Sequence, residues 1–452
     1  EVTDIQLQNL NVLKTSKIYV DADLAQGKMD NFLSITGTTN VAADAKIQID
    51  GIKLLSDSTG KTVSIPFVDN PTIAAAIEFT GEQGIYYSPI YKYFVDYDED
   101  SGKFEFARFS SDNGGGGDDD KPSNFNPAVL SSPIAAQGVY LAQLQSYDTA
   151  LANMDMLMAM PKEERQAMKY QNKFAAADEQ EVYTFSPNQI PEETKGIWFR
   201  PYSSFESVDM SGASVSNVMY GSIVGGDSGI IEHKNGWDAM YSAYAGYNGS
   251  HQNYETVGIY QNGGLLGVSG VWYKNNFFTG LTANVGASAA HSSTADGSED
   301  FTMLSTGIAS KTGYNWLIAD GKFVIQPSYM MSYTFVNTFD YTNASGVRIS
   351  SDPLNSIQIA PGVKFIGNFK NGWQPYIGVQ MVWNIMNKTK FKANDVQLPE
   401  LSVDPYVQYG FGVQKRIGEN FTGFGEAMFR GGGRNGVAFN VGFRWALGKD
   451  KK

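Results

Sequence analysis

Val437-Ala-Phe-Asn-Val-Gly-Phe-Arg-Trp-Ala-Leu447 alternates without a break. Val437, Phe439, Val441, Phe443, Trp445 and Leu447 point one way, and Ala438, Asn440, Gly442, Arg444 and Ala446 point the other. Successive side chains of a strand leave on opposite faces, so this period marks a strand with two unlike faces. A soluble sandwich also alternates, but its apolar face is the packed one and its outer face meets water. Here the small, polar face carries glycine, an amide and a charge, which is odd for a packed core. It suits a lumen holding water or a polar helix, and leaves the apolar face for lipid.

Two upstream stretches repeat the pattern. In Tyr376–Ile385 the apolar set is Ile377, Val379, Met381, Trp383 and Ile385; in Val407–Gln414 it is Val407, Tyr409, Phe411 and Val413. From Gly196 to Leu447 the chain reads as twelve such strands. One set of connections is short and turn-rich: Lys234-Asn-Gly236, Lys274-Asn-Asn276, Ala319-Asp-Gly321, Lys370-Asn-Gly372 and Gly418-Glu-Asn420. Asn-Gly and Asp-Gly favour tight hairpin turns. Between them lie stretches read as longer polar connections, near Ser207–Asn217, Gly249–Thr256, His291–Asp300, Phe339–Ser356 and Asn387–Val403; the last one, Gly431–Asn435, is short. Short turns alternating with longer loops are the mark of a transmembrane barrel. Trp198, Tyr202, Trp272, Tyr273, Trp373 and Trp445 fall toward strand ends, where interfacial girdles belong. The expected fold is therefore an all-β membrane protein with a 12-stranded antiparallel transmembrane barrel, and an even count puts both barrel ends on one side of the membrane.

Upstream the pattern changes. Ser132 suits an N-cap and Pro133 the first helical position. Tyr140, Leu144, Tyr147, Leu151, Met154 and Met158 then form one stripe, with Gln143, Gln145, Asp148, Asn153 and Asp155 opposite. Pro161 ends this helix, and a more polar one is expected over Glu163–Ala177. About 20 helical residues span ~30 Å, the thickness of the hydrocarbon core, so the helix is the candidate plug. Residues 1–110 show short strands at Lys17–Leu24, Asn31–Thr36, Ala45–Leu55 and Lys61–Val68, compatible with rungs of a β-solenoid. They end in a hairpin, Ile90–Tyr97 with Lys103–Phe109, able to cap an open edge. The expected organisation is a passenger end over 1–110, a flexible Gly/Asp linker over 111–130, a helical linker over 131–195 partly inside the pore, the barrel over 196–447 and a periplasmic tail over 448–452.

Composition agrees. The chain has 452 residues, a formal charge of −13, 18% charged and 13% aromatic residues, 48 glycines and no cysteine. A disulfide framework and a cysteine metal site are excluded, and unclustered basic residues argue against nucleic acid. No stretch approaches the ~18 apolar residues of a transmembrane helix, which does not test for a barrel. The three histidines, His233, His251 and His291, sit in or beside connections, and no HExxH or other metal spacing occurs. No constellation for hydrolysis is visible, and neither an enzyme nor a cofactor is expected. Arg200, Glu426 and Arg444 fall at lumen-facing positions, where they are expected to bond the plug, each other or water.

Over its whole length the chain resembles the autotransporters of type V secretion, most strongly over 196–447. Gln261-Asn-Gly-Gly-Leu-Leu-Gly-Val followed by Trp272-Tyr273 resembles the fourth translocator strand, and Asn435–Trp445 the final one. Tyr91-Lys-Tyr-Phe-Val to Phe104-Glu-Phe resembles the end of a β-helical passenger, and Asn126-Pro-Ala-Val-Leu to Asn153-Met-Asp resembles the family's linker. The resemblance implies a helix in the pore, insertion by the outer-membrane β-barrel insertase, contact with outer-membrane lipid, and a passenger delivered to the cell surface. The barrel is expected to be monomeric. Family members end on an aromatic residue; this chain runs on past Trp445, so an insertion signal carried by Val437, Phe439, Val441, Phe443 and Trp445 is internal or atypical. The family also implies a chemical option, passenger cleavage by an asparagine side chain, for which Asn153 and Glu426 are the nearest candidates. A polar helix residue is the plainer account of Asn153. The alternatives to a translocator are a porin-like channel and an adhesin acting through its loops or stalk.

Overall fold

A computed structural model describes residues 5–29, 33–81, 84–110, 121–158, 195–369, 373–417 and 421–447, with the side chains of 33, 153–158, 232 and 416 excepted. Twelve long strands form the barrel: Gly196–Met210, Ala213–Asp227, Asp238–Tyr254, Val257–Lys274, Phe277–Thr294, Gly297–Tyr314, Phe323–Thr338, Leu354–Gly367, Trp373–Ile385, Tyr406–Ile417, Phe421–Gly432 and Arg434–Ala446. Neighbours in sequence pair antiparallel throughout. The first strand pairs with the second and with the last, Phe199 opposite both Val224 and Phe443, so the sheet closes. Closure satisfies every strand edge, which a sheet in lipid requires.

The faces follow the sequence period. Phe439, Val441 and Trp445 are exposed, while Ala438, Asn440 and Arg444 are buried. Ile377, Val379, Met381 and Trp383 are likewise exposed, and so are Tyr409 and Phe411. The girdle expectation needs correction. Trp373 and Trp445 face outward, but Trp198, Tyr202 and Tyr273 are buried in the lumen. Position parity decides this: Trp198 and Tyr202 share their face with Arg200. A Cβ at Gly225 would collide with the Trp198 ring, so that glycine makes room for an inward tryptophan.

Three stretches read as long connections are two-residue turns: Ser211-Gly212, Glu255-Thr256 and Ala295-Asp296. Ser211 and Gly212 both have positive φ (56° and 90°), as a tight hairpin turn of this kind requires. The polarity around them belongs to strand ends. Strands of 15 to 18 residues exceed the ~10 that cross a bilayer, so their tips project into water. The two remaining connections are long, and they add a four-stranded sheet from Tyr341–Thr342, Arg348–Asp352, Lys390–Ala393 and Val396–Gln397 over that mouth of the barrel. The turns at 370–372 and 418–420 lie outside the described residues.

The pore helix is Ser131–Met158. Its start differs from the reading above. Asn126 caps a 3-10 turn over Pro127–Leu130 that runs straight into the helix, and Ser132 is buried inside it. Residues 122–130, grouped above with the flexible linker, are thus ordered and largely buried; residues 111–120 lie outside the described residues, as do the expected second helix and the tail. The one-sided stripe is also corrected. Tyr140, Leu144, Tyr147 and Leu151 are buried, but so are Gln143, Ser146 and Thr149 on the other faces. A helix buried all round has no solvent face to keep polar; here the barrel wall supplies polar partners. The side chains of Met154 and Met158 lie outside the described ones.

Residues 5–81 form parallel pairs: Ile5 with Leu33, Ser16 with Ile47, and Ile47 with Ile77, offsets of 28, 31 and 30 residues. This is a β-helix with coils of about 30 residues, each using more than one strand. A four-stranded antiparallel sheet caps it: Thr62–Pro66, Ile85–Tyr87, and the hairpin Lys92–Asp98 with Lys103–Arg108. The hairpin lies where the sequence put it. Ile49, Ile65, Phe67, Tyr93, Phe104 and Phe106 fill the interior.

Candidate functional site: the plugged lumen

The helix crosses the barrel lengthwise. Near its start, Ser292 donates to Ser131 Oγ at 2.8 Å, and Gln137 donates to the carbonyls of Asn387 and Leu401 in the long loops. Leu151 packs with Val271 and Phe278 beside the Asn275-Asn276 turn, at the opposite end. The chain therefore enters at the long-loop mouth and descends toward the end where strand one begins at Gly196.

Between those ends the wall grips the helix through hydrogen bonds. Tyr140 Oη donates to Asn384 Oδ1 at 2.7 Å, Asn284 Nδ2 donates to Ser146 Oγ at 2.8 Å, and Tyr147 Oη lies 3.1 Å from Thr334 Oγ1. Gln143 bonds Ser305, and Gln252 donates to the Ile134 carbonyl at 3.2 Å. A Cβ at Gly307 would strike the Tyr147 hydroxyl, so strand six lets that ring approach. Each contact satisfies a polar atom that would otherwise be buried alone, which costs about 1–3 kcal/mol per group.

Two clusters of charge stand out among the described residues of the lumen. Glu206 on strand one receives Arg434 Nη2 at 2.6 Å, Arg434 Nε at 2.9 Å and Arg430 Nη1 at 3.0 Å. Asn217 and Ser204 add bonds at 3.2 and 3.1 Å. Arg434 also donates to Tyr406 Oη, and Arg430 Nη2 donates to Gln145 Oε1 of the helix at 3.2 Å. One carboxylate thus holds two guanidinium groups, and one of these holds the plug. The second cluster is a fork: Arg444 Nε and Nη2 meet Asp227 at 2.8 and 2.7 Å, joining the last strand to the second across strand one.

Arg200, Glu426 and Arg444 are half or fully buried on the lumen side, but they do not meet one another. Arg444 binds Asp227, the Arg200 guanidinium lies 3.4 Å over the Phe424 ring, and Glu426 accepts from Tyr376 Oη at 2.6 Å. The ion-pair residues that tie wall to plug, Glu206, Arg430 and Arg434, were missed. Parity could have found them: Glu206 is six positions from Arg200 and Arg430 four from Glu426, so each shares a face with a residue already placed in the lumen. Arg434 fell inside the connection read at Gly431–Asn435, and Glu206 and Arg430 lie at the strand ends immediately before the connections read at Ser207 and Gly431. For the cleavage candidates, Glu426 is engaged with Tyr376 and the Asn153 side chain lies outside the described ones. Val437 and Phe443 are half-buried on the outer face with Phe439, Val441 and Trp445. Among the described residues, no group of three or more His, Asp or Glu is placed to hold a metal ion. His251 stacks on Tyr260 and His291 pairs with Asp300 at 2.8 Å, both on the barrel exterior.

No family model and no curated protein matches the chain. Among solved structures, it is similar to the β domain of the Bordetella autotransporter BrkA, at 16% identity over 56% of this chain and 100% of that one, with a TM-score of 0.48. It is similar to the transport unit of the autotransporter AIDA-I from Escherichia coli, at 16% identity over 63% and 97%, TM-score 0.49. The translocator domain of NalP from Neisseria meningitidis gives 11% identity over 66% and 98%, TM-score 0.48. Values this low assign no family, and the geometry of the plugged barrel is left to carry the functional reading.

Proposed function

We propose that this protein is an outer-membrane translocator, an autotransporter-type barrel that anchors its own N-terminal β-helix at the cell surface. The observation that carries this is the path of the chain: from a β-helix at the long-loop mouth, down through the lumen as a helix, and into the first strand at the far end. Long loops belong on the outer side and short turns in the periplasm, so that path runs from the surface inward. The apolar outer face is the lipid contact, and closure by strands one and twelve makes a monomeric barrel sufficient.

In this reading, residues 1–110 are the end of the passenger, 111–195 the connection through the pore, 196–447 the translocator and 448–452 the periplasmic tail. The outer-membrane insertase is the assembly partner, with the outward residues of the final strand as its signal. No catalytic role is assigned. A porin-like channel does not need its lumen filled by a helix bonded to the wall at eight or so points, which disfavours that alternative.

The test is surface proteolysis of intact cells expressing the protein with epitope tags before Glu1 and after Lys452. Loss of the first tag with protection of the second is expected. Protection of both would place the β-helix inside and overturn the proposal.

A further inference from the structure

Lys92 stands on the hairpin that caps the β-helix, and its side chain is only 5% exposed. A lysine so buried needs a carboxylate close by, because an unpaired ammonium out of water is costly. The carboxylate it meets belongs to the barrel. Nζ lies 2.6 and 2.8 Å from the two oxygens of Glu255, which sits in the two-residue turn between strands three and four. The rings of Tyr87 and Phe109 flank the ammonium from the cap side, each 6.0 Å away.

A second contact adjoins the first. Asn126, which caps the turn leading into the pore helix, donates from Nδ2 to the Ser88 carbonyl at 2.7 Å and from its backbone N–H to the Ile90 carbonyl at 2.8 Å. The Tyr91 and Phe125 rings pack in a tilted arrangement with centroids 5.1 Å apart, and the Arg108 guanidinium lies 3.8 Å from the Tyr91 centroid. Ile90 and Phe125 share one apolar cluster with Tyr254, Val257 and Ile259 of the barrel strands. The tip of the cap therefore touches both the wall and the plug.

We infer that the rim turn at Glu255 is a docking platform for the sheet that caps the β-helix, and that the Lys92–Glu255 pair fastens the folded cap to the barrel beneath it. The pair works in one direction more than the other. Glu255 keeps access to water, with its side chain 33% exposed, and tolerates loss of its partner. Lys92 does not. Docking buries Lys92, and the rim supplies the carboxylate that makes this burial tolerable; without it, docking would bury an unpaired cation. That this holds a stalk upright at the cell surface rests on the function proposed above; the docking itself does not.

The test is hydrogen exchange of the amides in Ile85–Tyr87, Lys92–Asp98 and Lys103–Arg108, measured on the purified full chain in detergent, with barrel amides as reference. Glu255→Gln is expected to speed exchange in the cap by at least about tenfold and leave the barrel unchanged. Lys92→Met combined with Glu255→Gln removes both charges and is expected to restore protection. Cap protection in Glu255→Gln equal to the parent's would overturn the inference, and so would a double variant as unprotected as the single one. Should Glu255→Gln impair barrel assembly, Lys92→Glu sets two carboxylates face to face from the other side and is expected to give the same tenfold loss; unchanged exchange there counts against docking. The exchange experiment is independent of the tag experiment: tags on the wrong sides with the exchange difference intact would sink the export reading alone.

Discussion

The β-helix and the barrel are built from the same two-residue alternation used in opposite senses. In the β-helix, Ile49, Phe67, Phe104 and Phe106 point in, while Lys17, Glu78 and Glu105 point out. In the barrel, Leu266, Ile377, Phe439 and Val441 point out, while Gln252, Thr334, Gln408 and Arg444 point in. Water explains the first: hiding apolar area is the main gain in folding there. Lipid removes that gain, because an apolar side chain on the outer face already has an apolar neighbour. What then fixes the inside of the barrel is pairing of polar groups. The two regions should respond differently to the same kind of damage.

The largest effect is expected from apolar truncation in the β-helix. Phe104 meets Phe67, Phe79 and Tyr97 with ring centroids 5.5, 5.3 and 4.7 Å apart. Phe104→Ala should cost about 3–5 kcal/mol. It should unfold residues 5–110 early on heating and leave the barrel's heat-resistant electrophoretic mobility as it was. A barrel that loses that mobility along with the β-helix would show one cooperative unit and break the comparison.

The matching lesion in the barrel is polar. Glu206→Gln leaves Arg430 and Arg434 buried without their carboxylate, a loss of about 3 kcal/mol. The temperature at which the barrel loses its compact mobility should fall, while exchange in the β-helix stays at the parent's rate. On the outer face, Phe439→Lys should cost about 2–4 kcal/mol if that position lies near the bilayer midplane. Reduced yield of folded barrel in membranes is the readout. The same exchange of a large apolar side chain for lysine at Tyr19, an exposed β-helix residue, should change nothing measurable, which sharpens the contrast.

Much of this architecture was legible because alternation is local. Val437–Leu447 reveals its two faces without any partner strand, and the cap hairpin announces itself by two strands around Asp98–Gly102. What was not legible depended on distance. Whether Ser207–Met210 is loop or strand depends on how far the barrel rises above the bilayer, and polar residues suit either. The β-helix coil of about 30 residues is visible only once Ser16 is seen beside Ile47. The Glu206 cluster brings together residues 224 and 228 positions apart, so no window along the chain contains it. Trp198 was misplaced because aromatic residues near strand ends were given to the membrane girdle, although parity with Arg200 already put it inside.

The smallest expected effect concerns Asp57, at the foot of the cap. It is half-buried, and partial desolvation raises its carboxyl above the ordinary value despite hydrogen bonds from Ser88 and the N–H groups of Ile90 and Tyr91 and the nearby Arg108. The folded state therefore binds this proton more tightly than the unfolded chain, where a carboxyl titrates near ~3.9. The stability it contributes is fully present below that value and is lost as pH rises through the folded one. Asp57→Asn keeps an oxygen to accept the two N–H bonds and removes the titration. Relative to this variant, the parent β-helix should lose stability between acid and neutral pH, read as a widening gap in its unfolding midpoint, while the barrel's midpoint tracks identically in both. A gap that narrows as pH rises would mean that the hydrogen bonds to Asp57 outweigh its burial. The comparison would then have to admit that the β-helix, like the barrel, leans on a polar cluster at the point where the two meet.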